Sequence, residues 1–185
     1  TVATGGDDGK VKIWQTATGF CTVTFTEHTA PVKSVAFAKG GNVVISASVD
    51  GTVRAFDLLR YRNFRTFTTA TPTAFSSLAV DSAGEVVAAG SADSFEIYIW
   101  AMQTGKLLDI LAGHEGPISC LAFSPSTSVS SRTLLASGSW DSSVRIWDVF
   151  SARKGAVEAF ENSYDVLALS FRPDGKEICA CALDG

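Results

Sequence analysis

The chain consists of short β-rich runs in which successive side chains would point to opposite faces, and each run ends in turn-forming residues. The clearest runs span residues 107–111, 118–123, 134–139 and 144–148, with glycine, proline, aspartate or serine between them. A period of two is the geometry of a β-strand. Because no segment keeps a helical period with caps at its ends, the pattern predicts an all-β protein of short strands and tight turns.

A second pattern repeats on a longer scale, because each segment contains a small-residue step followed by an aspartate. The recurring aspartates are separated by 42, 43, 48 and 43 residues, and they are Asp8, Asp50, Asp93, Asp141 and Asp184. The aromatic residues that end the segments, separated by 42, 44 and 47 residues, are Trp14, Phe56, Trp100 and Trp147. Both registers indicate the period of a four-stranded blade. The longest spacing includes 125–133, a Ser-rich stretch that is predicted to form a surface loop.

The repeat predicts a β-propeller, in which four-stranded antiparallel blades stack side by side around an axis. Residues 1–185 divide into the end of one repeat (1–19), three whole repeats (20–63, 64–106 and 107–154) and an incomplete repeat (155–185). Propellers usually close with about four to eight blades. We therefore expect about four blades here, as a fragment of a larger ring of about seven.

One copy of the repeat contains Gly113-His114, followed 34 residues later by Trp147-Asp148. These pairs resemble the hallmark of the WD40 family. The resemblance implies a buried tetrad of hydrogen-bonded side chains, which falls here on His114, Ser137, Asp141 and Trp147. Buried polar groups are costly unless each finds a partner, so a complete tetrad would fix the turn and strands around it.

The other copies carry partial versions of the same tetrad. The resemblance places its members on Thr4, Asp8 and Trp14 in the first copy, on His28, Ser46 and Asp50 in the second, on Asp93 and Trp100 in the third, and on Asp184 in the last. Substituted positions are Phe56 for the Trp of the second copy, Thr71 and Ala89 for the His and Ser of the third, and Asn162 and Ala180 for those of the last. These copies are expected to rely more on apolar packing.

A His, a Ser and an Asp also form hydrolase triads, so an enzyme is the first alternative to consider. A nucleophilic serine needs an exposed turn and a nearby oxyanion hole, whereas Ser137 lies within the apolar run 134–139. The two histidines belong to different repeats, and no glycine-rich phosphate loop precedes a helix. We therefore predict no enzymatic activity, no catalytic residue, no metal, no cofactor and no small-molecule substrate.

Composition narrows the classes of partner. The chain has 15 Lys and Arg against 19 Asp and Glu, a net charge of -4, which argues against a whole-surface grip on nucleic acid. Charges recur too often for an apolar stretch to span a bilayer, so no membrane contact is predicted. The cysteines lack the spacing of a zinc site and are expected to be buried small apolar side chains; they are Cys21, Cys120, Cys179 and Cys181.

One basic segment stands out against this composition, because arginines alternate with aromatic residues after Arg54. Arg60, Tyr61, Arg62 and Arg65 are the candidate contacts to RNA or to an acidic partner, since arginine pairs with phosphates and aromatic rings stack on bases. In the alternative interpretation, the aromatic residues pack into the blade and the arginines lie on a solvated connection.

Three stretches are unusual for generic WD40 repeats, namely 57–67, 138–141 and 165–176. They resemble the tandem-propeller WD40 proteins of the Utp-B subassembly of the small-subunit processome. This resemblance implies a non-catalytic scaffold of ribosome biogenesis in the nucleolus, with other protein subunits as partners and precursor ribosomal RNA as a second candidate. The repeat alone also permits an adaptor or substrate receptor in signalling or ubiquitin ligation.

Overall fold

The computed structural model describes residues 1–125, 133–151 and 155–184. Over those ranges the chain forms strands and turns without a helix, which confirms the all-β prediction. The strands are β1 (Val2–Gly5), β2 (Val11–Trp14), β3 (Cys21–Phe25), β4 (Val32–Phe37), β5 (Val43–Ser48), β6 (Val53–Asp57), β7 (Arg62–Phe67), β8 (Phe75–Val80), β9 (Val86–Ser91), β10 (Ile97–Ala101), β11 (Leu107–Leu111), β12 (Ile118–Phe123), β13 (Leu134–Ser139), β14 (Ser143–Asp148), β15 (Glu158–Glu161), β16 (Val166–Phe171) and β17 (Ile178–Ala182). Most of the predicted loop at 125–133 lies outside the described residues.

The strands form five antiparallel sheets in chain order. The first sheet contains β1 to β3, and the second, third and fourth contain β4 to β7, β8 to β11 and β12 to β15. These three confirm the predicted four-stranded antiparallel blade. The fifth sheet, as far as it is described, contains β16 and β17.

Sequence repeats and sheets are out of step by one strand. The repeat 20–63 begins with β3, which pairs with β2 and belongs to the first sheet. In the same way, the repeat 107–154 begins with β11, the last strand of the third sheet. The limit between residues 63 and 64 falls inside β7. Each repeat therefore contributes strands to two sheets.

Neighbouring sheets enclose apolar cores, and β9 illustrates how the period of two serves both sides. Val87 and Ala89 belong to the core between the second and third sheets. Val86 and Ala88 belong to the core between the third and fourth sheets, which also contains Trp147. Every residue of β9 is buried. Because burial of one large apolar side chain contributes about 1.5–3 kcal/mol, these shared faces are the main source of stability.

The first strands of successive sheets lie on the inside of the stack, since β4 contacts β8, β8 contacts β12, and β12 contacts β16. Their approach requires small residues in the adjoining second strands. A Cβ atom on Gly138 would lie 2.6 Å from Cγ1 of Val166 and 2.7 Å from Sγ of Cys120. Such distances are too short for carbon, so a glycine allows the fourth and fifth sheets to meet.

The expected burial of the cysteines is wrong for three of the four. Cys21, Cys179 and Cys181 are exposed, and Cys120 is half-buried. Cys21 lies on β3, the edge strand of the first sheet, while the other two lie on β17, an edge strand of the fifth. An alternating sequence predicts a strand, but it does not tell whether another sheet covers that strand.

Candidate functional site

The fourth sheet brings together the four side chains of the predicted tetrad. His114 precedes β12, Ser137 lies on β13, Asp141 lies in the turn after β13, and Trp147 lies on β14. Nδ1 of His114 is 2.8 Å from Oδ2 of Asp141, and Nε2 is 2.7 Å from Oγ of Ser137. Nε1 of Trp147 donates to the same Oγ at 2.8 Å. The result is one continuous series of hydrogen bonds that joins β13, β14, the segment before β12 and the turn after β13.

Asp141 closes this series of hydrogen bonds at the turn. It accepts hydrogen bonds from the backbone N–H groups of Glu115 (3.0 Å) and Ser143 (2.9 Å) and from the Ser143 hydroxyl (2.7 Å). Burial alone would raise the pKa of Asp141, but these bonds and the one from His114 outweigh it and lower the pKa to about 2. The carboxylate therefore stays ionised and holds the two loops together.

The proton positions follow from the burial of the histidine. Burial lowers the pKa of His114, although Asp141 acts in the opposite direction. At neutral pH the imidazole is therefore neutral, with its proton on Nδ1 where it faces the carboxylate. Nε2 then accepts the Ser137 hydroxyl proton, and the Ser137 oxygen accepts the Trp147 N–H. Every polar side-chain atom of the four tetrad residues has a partner, so burial of the tetrad is not penalised.

The second sheet contains three of the four members in the same arrangement. Nδ1 of His28 is 2.7 Å from Oδ2 of Asp50, and Nε2 is 2.7 Å from Oγ of Ser46. Phe56 takes the place of the tryptophan; its ring is fully buried and stacks on Phe25 with ring centroids 4.3 Å apart. Packing with the first sheet replaces the missing hydrogen bond.

The remaining copies keep only parts of the network. Trp14 donates to Oγ1 of Thr4 at 2.8 Å, while Asp8 forms a 3.6 Å ion pair with Lys10. In the third sheet Asp93 accepts the Ala74 backbone N–H at 3.0 Å, in place of a histidine.

Two of the predicted tetrad residues, Trp100 and Asp184, form no side-chain hydrogen bond of the tetrad type within the described structure. Nε1 of Trp100 is buried without a hydrogen-bond partner among the described residues, because Ala89 replaces the serine. Asp184 is exposed in the turn after β17.

Two further positions support the tetrads, and the sequence interpretation missed them. Ser48, Ser91 and Ser139 each lie two residues before the turn aspartate and donate to it or to the adjoining loop. Thr52 and Ser143 lie two residues after it, and each hydroxyl donates to the carboxylate at 2.7 Å. The signal was present, since a serine or threonine recurs at fixed offsets from the aspartate.

The His-Ser-Asp arrangement has the connectivity of a hydrolase triad, but a substrate cannot reach its serine. Ser46 and Ser137 have no exposed surface, and the Ser137 hydroxyl already contacts both His114 and Trp147. A nucleophile must reach a substrate carbon, which these serines cannot do without unfolding the sheet. Their hydrogen bonds therefore organise the blade.

In the described ranges, no three His, Cys, Asp or Glu side chains converge as a metal site would require. Among residues 1–125, 133–151 and 155–184, no helix is long and apolar enough to cross a membrane.

The basic segment covers the turn between β6 and β7 and the first part of β7, and the structure separates its four predicted contacts. Arg60 forms a 2.9 Å ion pair with Asp57, and Arg65 donates to the backbone oxygen of Gln103 in the third sheet. Tyr61 and Arg62 are exposed. Two of the four side chains are thus held by the chain itself, and two point outward.

Comparison with known proteins places this architecture. Residues 1–15, 19–57 and 105–148 match the family model "WD domain, G-beta repeat", which covers more than half of the chain. Over 184 residues the chain is 53% identical to Periodic tryptophan protein 2 of Arabidopsis thaliana, covering 100% of the chain and 20% of that protein. It is 56% identical to the Mus musculus homolog, covering 99% of the chain and 19% of that protein.

The Saccharomyces cerevisiae protein of the same name is also 56% identical, covering 100% of the chain and 19% of its own length. The chain thus spans about a fifth of the length of the curated relatives it matches. The repeat, the sheets and the buried His-Ser-Asp-Trp network agree with the match to the family model. The chain belongs to the WD40 family of WD-domain, G-beta repeat proteins.

Proposed function

We propose that this chain is part of a non-catalytic scaffold in ribosome biogenesis, acting within the small-subunit processome. The observation that carries the proposal is the similarity to Periodic tryptophan protein 2, which extends over the whole chain in plant, animal and fungal relatives. The stretches 57–67, 138–141 and 165–176, which set this chain apart from generic WD40 repeats, support the same assignment.

A scaffold is supported physically because the buried polar side chains bond to one another inside the blades, while the turns are accessible to partner proteins. His28, Ser46, His114 and Ser137 are buried in hydrogen-bonded sets. The turns, in contrast, expose large apolar side chains such as Trp140. Rigid blades with exposed turns suit the docking of several proteins at once. Other protein subunits of a large assembly are the proposed partners, with precursor ribosomal RNA as a second partner and the nucleolus as the location.

The test is purification of the tagged full-length protein from cells, with mass spectrometry and RNA sequencing of what accompanies it. We expect ribosome assembly factors and precursor ribosomal RNA, enriched over a purification from cells that express the tag alone. Imaging of the same tagged protein should show it in the nucleolus. Recovery of ubiquitin-ligase or kinase subunits without RNA would overturn the proposal in favour of an adaptor.

A further inference from the structure

The turns between the third and fourth strands of the sheets provide an internal comparison. Five positions after the terminal aromatic residue, the backbone is left-handed at Gly19 (φ 72), Tyr61 (φ 49) and Gly105 (φ 73). Glycine adopts this conformation freely, whereas a residue with a Cβ atom is disfavoured by about 1 kcal/mol or more. Two of these three turns carry the glycine that the conformation favours, and the second sheet departs from them with a bulky tyrosine.

Nothing in the described chain compensates for that strain. The Tyr61 side chain is 61% exposed, and it forms no hydrogen bond, ion pair or ring contact with any described residue. Leu59 is 71% exposed and Phe64 is 39% exposed in the same hairpin. Arg62 is exposed as well, and within the described ranges its side chain has neither an ion pair nor a hydrogen bond.

The hairpin holds these side chains on a fixed base. Oδ1 of Asp57 accepts the backbone N–H groups of Leu59 (2.8 Å) and Arg60 (3.2 Å), while Oδ2 pairs with the Arg60 guanidinium at 2.9 Å. Arg65 anchors the far side of the hairpin to the third sheet through the backbone oxygen of Gln103. A preorganised turn loses little conformational entropy on binding, which favours tight association.

We propose that Leu59, Tyr61, Arg62 and Phe64, here called the hairpin patch, dock another protein subunit of the scaffold assembly. The surface it fits has an apolar depression for Leu59 and Tyr61 and a carboxylate opposite Arg62. This inference rests on the proposed scaffold function and names the partner class of one surface. Tyrosine and arginine are among the residue types enriched at protein interfaces and their hot spots.

Charge favours a protein over RNA as the occupant. Asp57 neutralises Arg60, and the partly buried guanidinium of Arg65 donates to a backbone oxygen, so within the described structure Arg62 is the one exposed arginine of residues 60–65 without an ion pair. Binding to nucleic acid draws on several phosphate contacts at once. One unpaired arginine among three exposed apolar side chains instead matches a mostly apolar site with a single carboxylate.

Site-specific crosslinking in the full-length protein identifies the occupant. A photoreactive residue replaces Leu59 in cells, and a control protein carries it in place of Gln103, the equivalent position of the third sheet. We expect position 59 alone to crosslink to a peptide of another subunit, and this peptide should contain Asp or Glu. Crosslinking to RNA, or equal yields of the same products at both positions, would overturn the inference.

Two variants of the full-length protein test the contact itself. Tyr61→Gly removes the ring and relieves the strained backbone, and Arg62→Glu reverses the charge. Each should reduce recovery of the crosslinked subunit by about tenfold or more, as the loss of a hot-spot side chain does. Lys106→Glu, at the position equivalent to Arg62 in the third sheet, is the matched control and should leave recovery unchanged.

A merely structural tyrosine would behave in the opposite way. Hydrogen exchange of β6 and β7 in the Tyr61→Gly protein should then accelerate, with the subunit retained; this result would refute docking. We expect unchanged or slower exchange together with loss of the subunit. The wild-type purification keeps the two proposals apart. If the wild-type purification contains ribosome assembly factors and the variants lose none of them, the proposed docking at the hairpin patch is wrong. If the wild-type purification contains no such factors, the proposed scaffold function is wrong.

Discussion

At the scale of single residues, the sheets show what each tetrad member contributes. Trp147 and Trp100 occupy equivalent positions and are both fully buried. The indole N–H of Trp147 reaches Ser137, whereas that of Trp100 has no acceptor where Ala89 replaces the serine. A buried donor without a partner costs about 1–3 kcal/mol. The third sheet tolerates this cost because its core on both sides is continuous and apolar.

We predict that Ala89→Ser stabilises the third sheet by about 1 kcal/mol, since the new hydroxyl accepts the hydrogen bond of Trp100. Hydrogen exchange of β9 and β10 in the full-length protein should slow by about fivefold. Ala88→Ser is the matched control, because Ala88 is equally buried but faces the other core. That hydroxyl finds no indole N–H and should speed exchange. Equal acceleration by both variants would contradict the role of the missing acceptor.

The histidines predict acid sensitivity with a definite sign. Burial lowers the pKa of His28 and His114 in the folded state, so the unfolded chain takes up protons first as the pH falls below about 6.5. Their contribution to stability is present above that pH and is lost below it. A further loss follows between pH 3.8 and about 2, where Asp141 is ionised only in the folded state.

The measurement is the thermal unfolding midpoint of the full-length protein between pH 7.5 and pH 5. It should fall more steeply in the wild type than in a variant with His28→Asn and His114→Asn, because asparagine does not titrate. Parallel curves for the two proteins would show that other groups control the acid response.

At the scale of strands and turns, the outer hairpins link one sheet to the next. Arg65 on β7 reaches the turn after β10, and a Cβ atom on Gly105 in that turn would lie 2.9 Å from Cδ of Arg65. Glycine thus leaves room for the arginine stem at the sheet boundary. Arg65 contacts the neighbouring sheet within the chain, while Arg62 on the same strand faces solvent.

We expect Arg65→Ala to loosen the turn between β10 and β11 without unfolding the sheets. Loss of one hydrogen bond worth about 1 kcal/mol should raise amide exchange at residues 103–106 by about fivefold. Arg62→Ala removes the same charge from the same strand and should leave those amides unchanged. Similar effects of the two variants would indicate a general charge effect in place of the specific link.

The sequence was informative about elements and less so about pairing. The predicted runs 107–111, 118–123 and 134–139 are the strands β11, β12 and β13, since alternation depends on local chain geometry. The roles of the arginines could not be separated in this way. Whether Arg60 is neutralised or Arg65 reaches Gln103 depends on the turn conformation and on the neighbouring sheet, and neither has a sequence signal.

At the scale of the whole molecule, the charge balance bears on what the surface can bind. The chain carries a net charge of -4, so its overall charge gives nucleic acid no general attraction. Nucleic acid would need a local cluster of unpaired basic residues, whereas Arg62 is the one exposed arginine of residues 60–65 without an ion pair in the described structure. Protein docking through apolar side chains is compatible with this balance and depends little on ionic strength.

The salt dependence of the hairpin contact therefore separates the two partner classes. With crosslinking carried out on the purified full-length assembly, one ionic contact predicts that the yield from position 59 falls by no more than about fourfold between 50 and 200 mM salt. A site with six or more phosphate contacts would lose about a thousandfold or more over the same range. A steep loss would point to nucleic acid.

The one-strand offset between repeats and sheets has a mechanical consequence. Since β3, β7 and β11 each complete the sheet of the preceding repeat, no repeat can leave the stack as an intact unit. To remove one repeat, an edge strand would first have to separate from the adjoining strand, which breaks all the backbone hydrogen bonds between the two strands. Force applied to one blade is thereby transmitted to the next blade through the strand that completes its sheet.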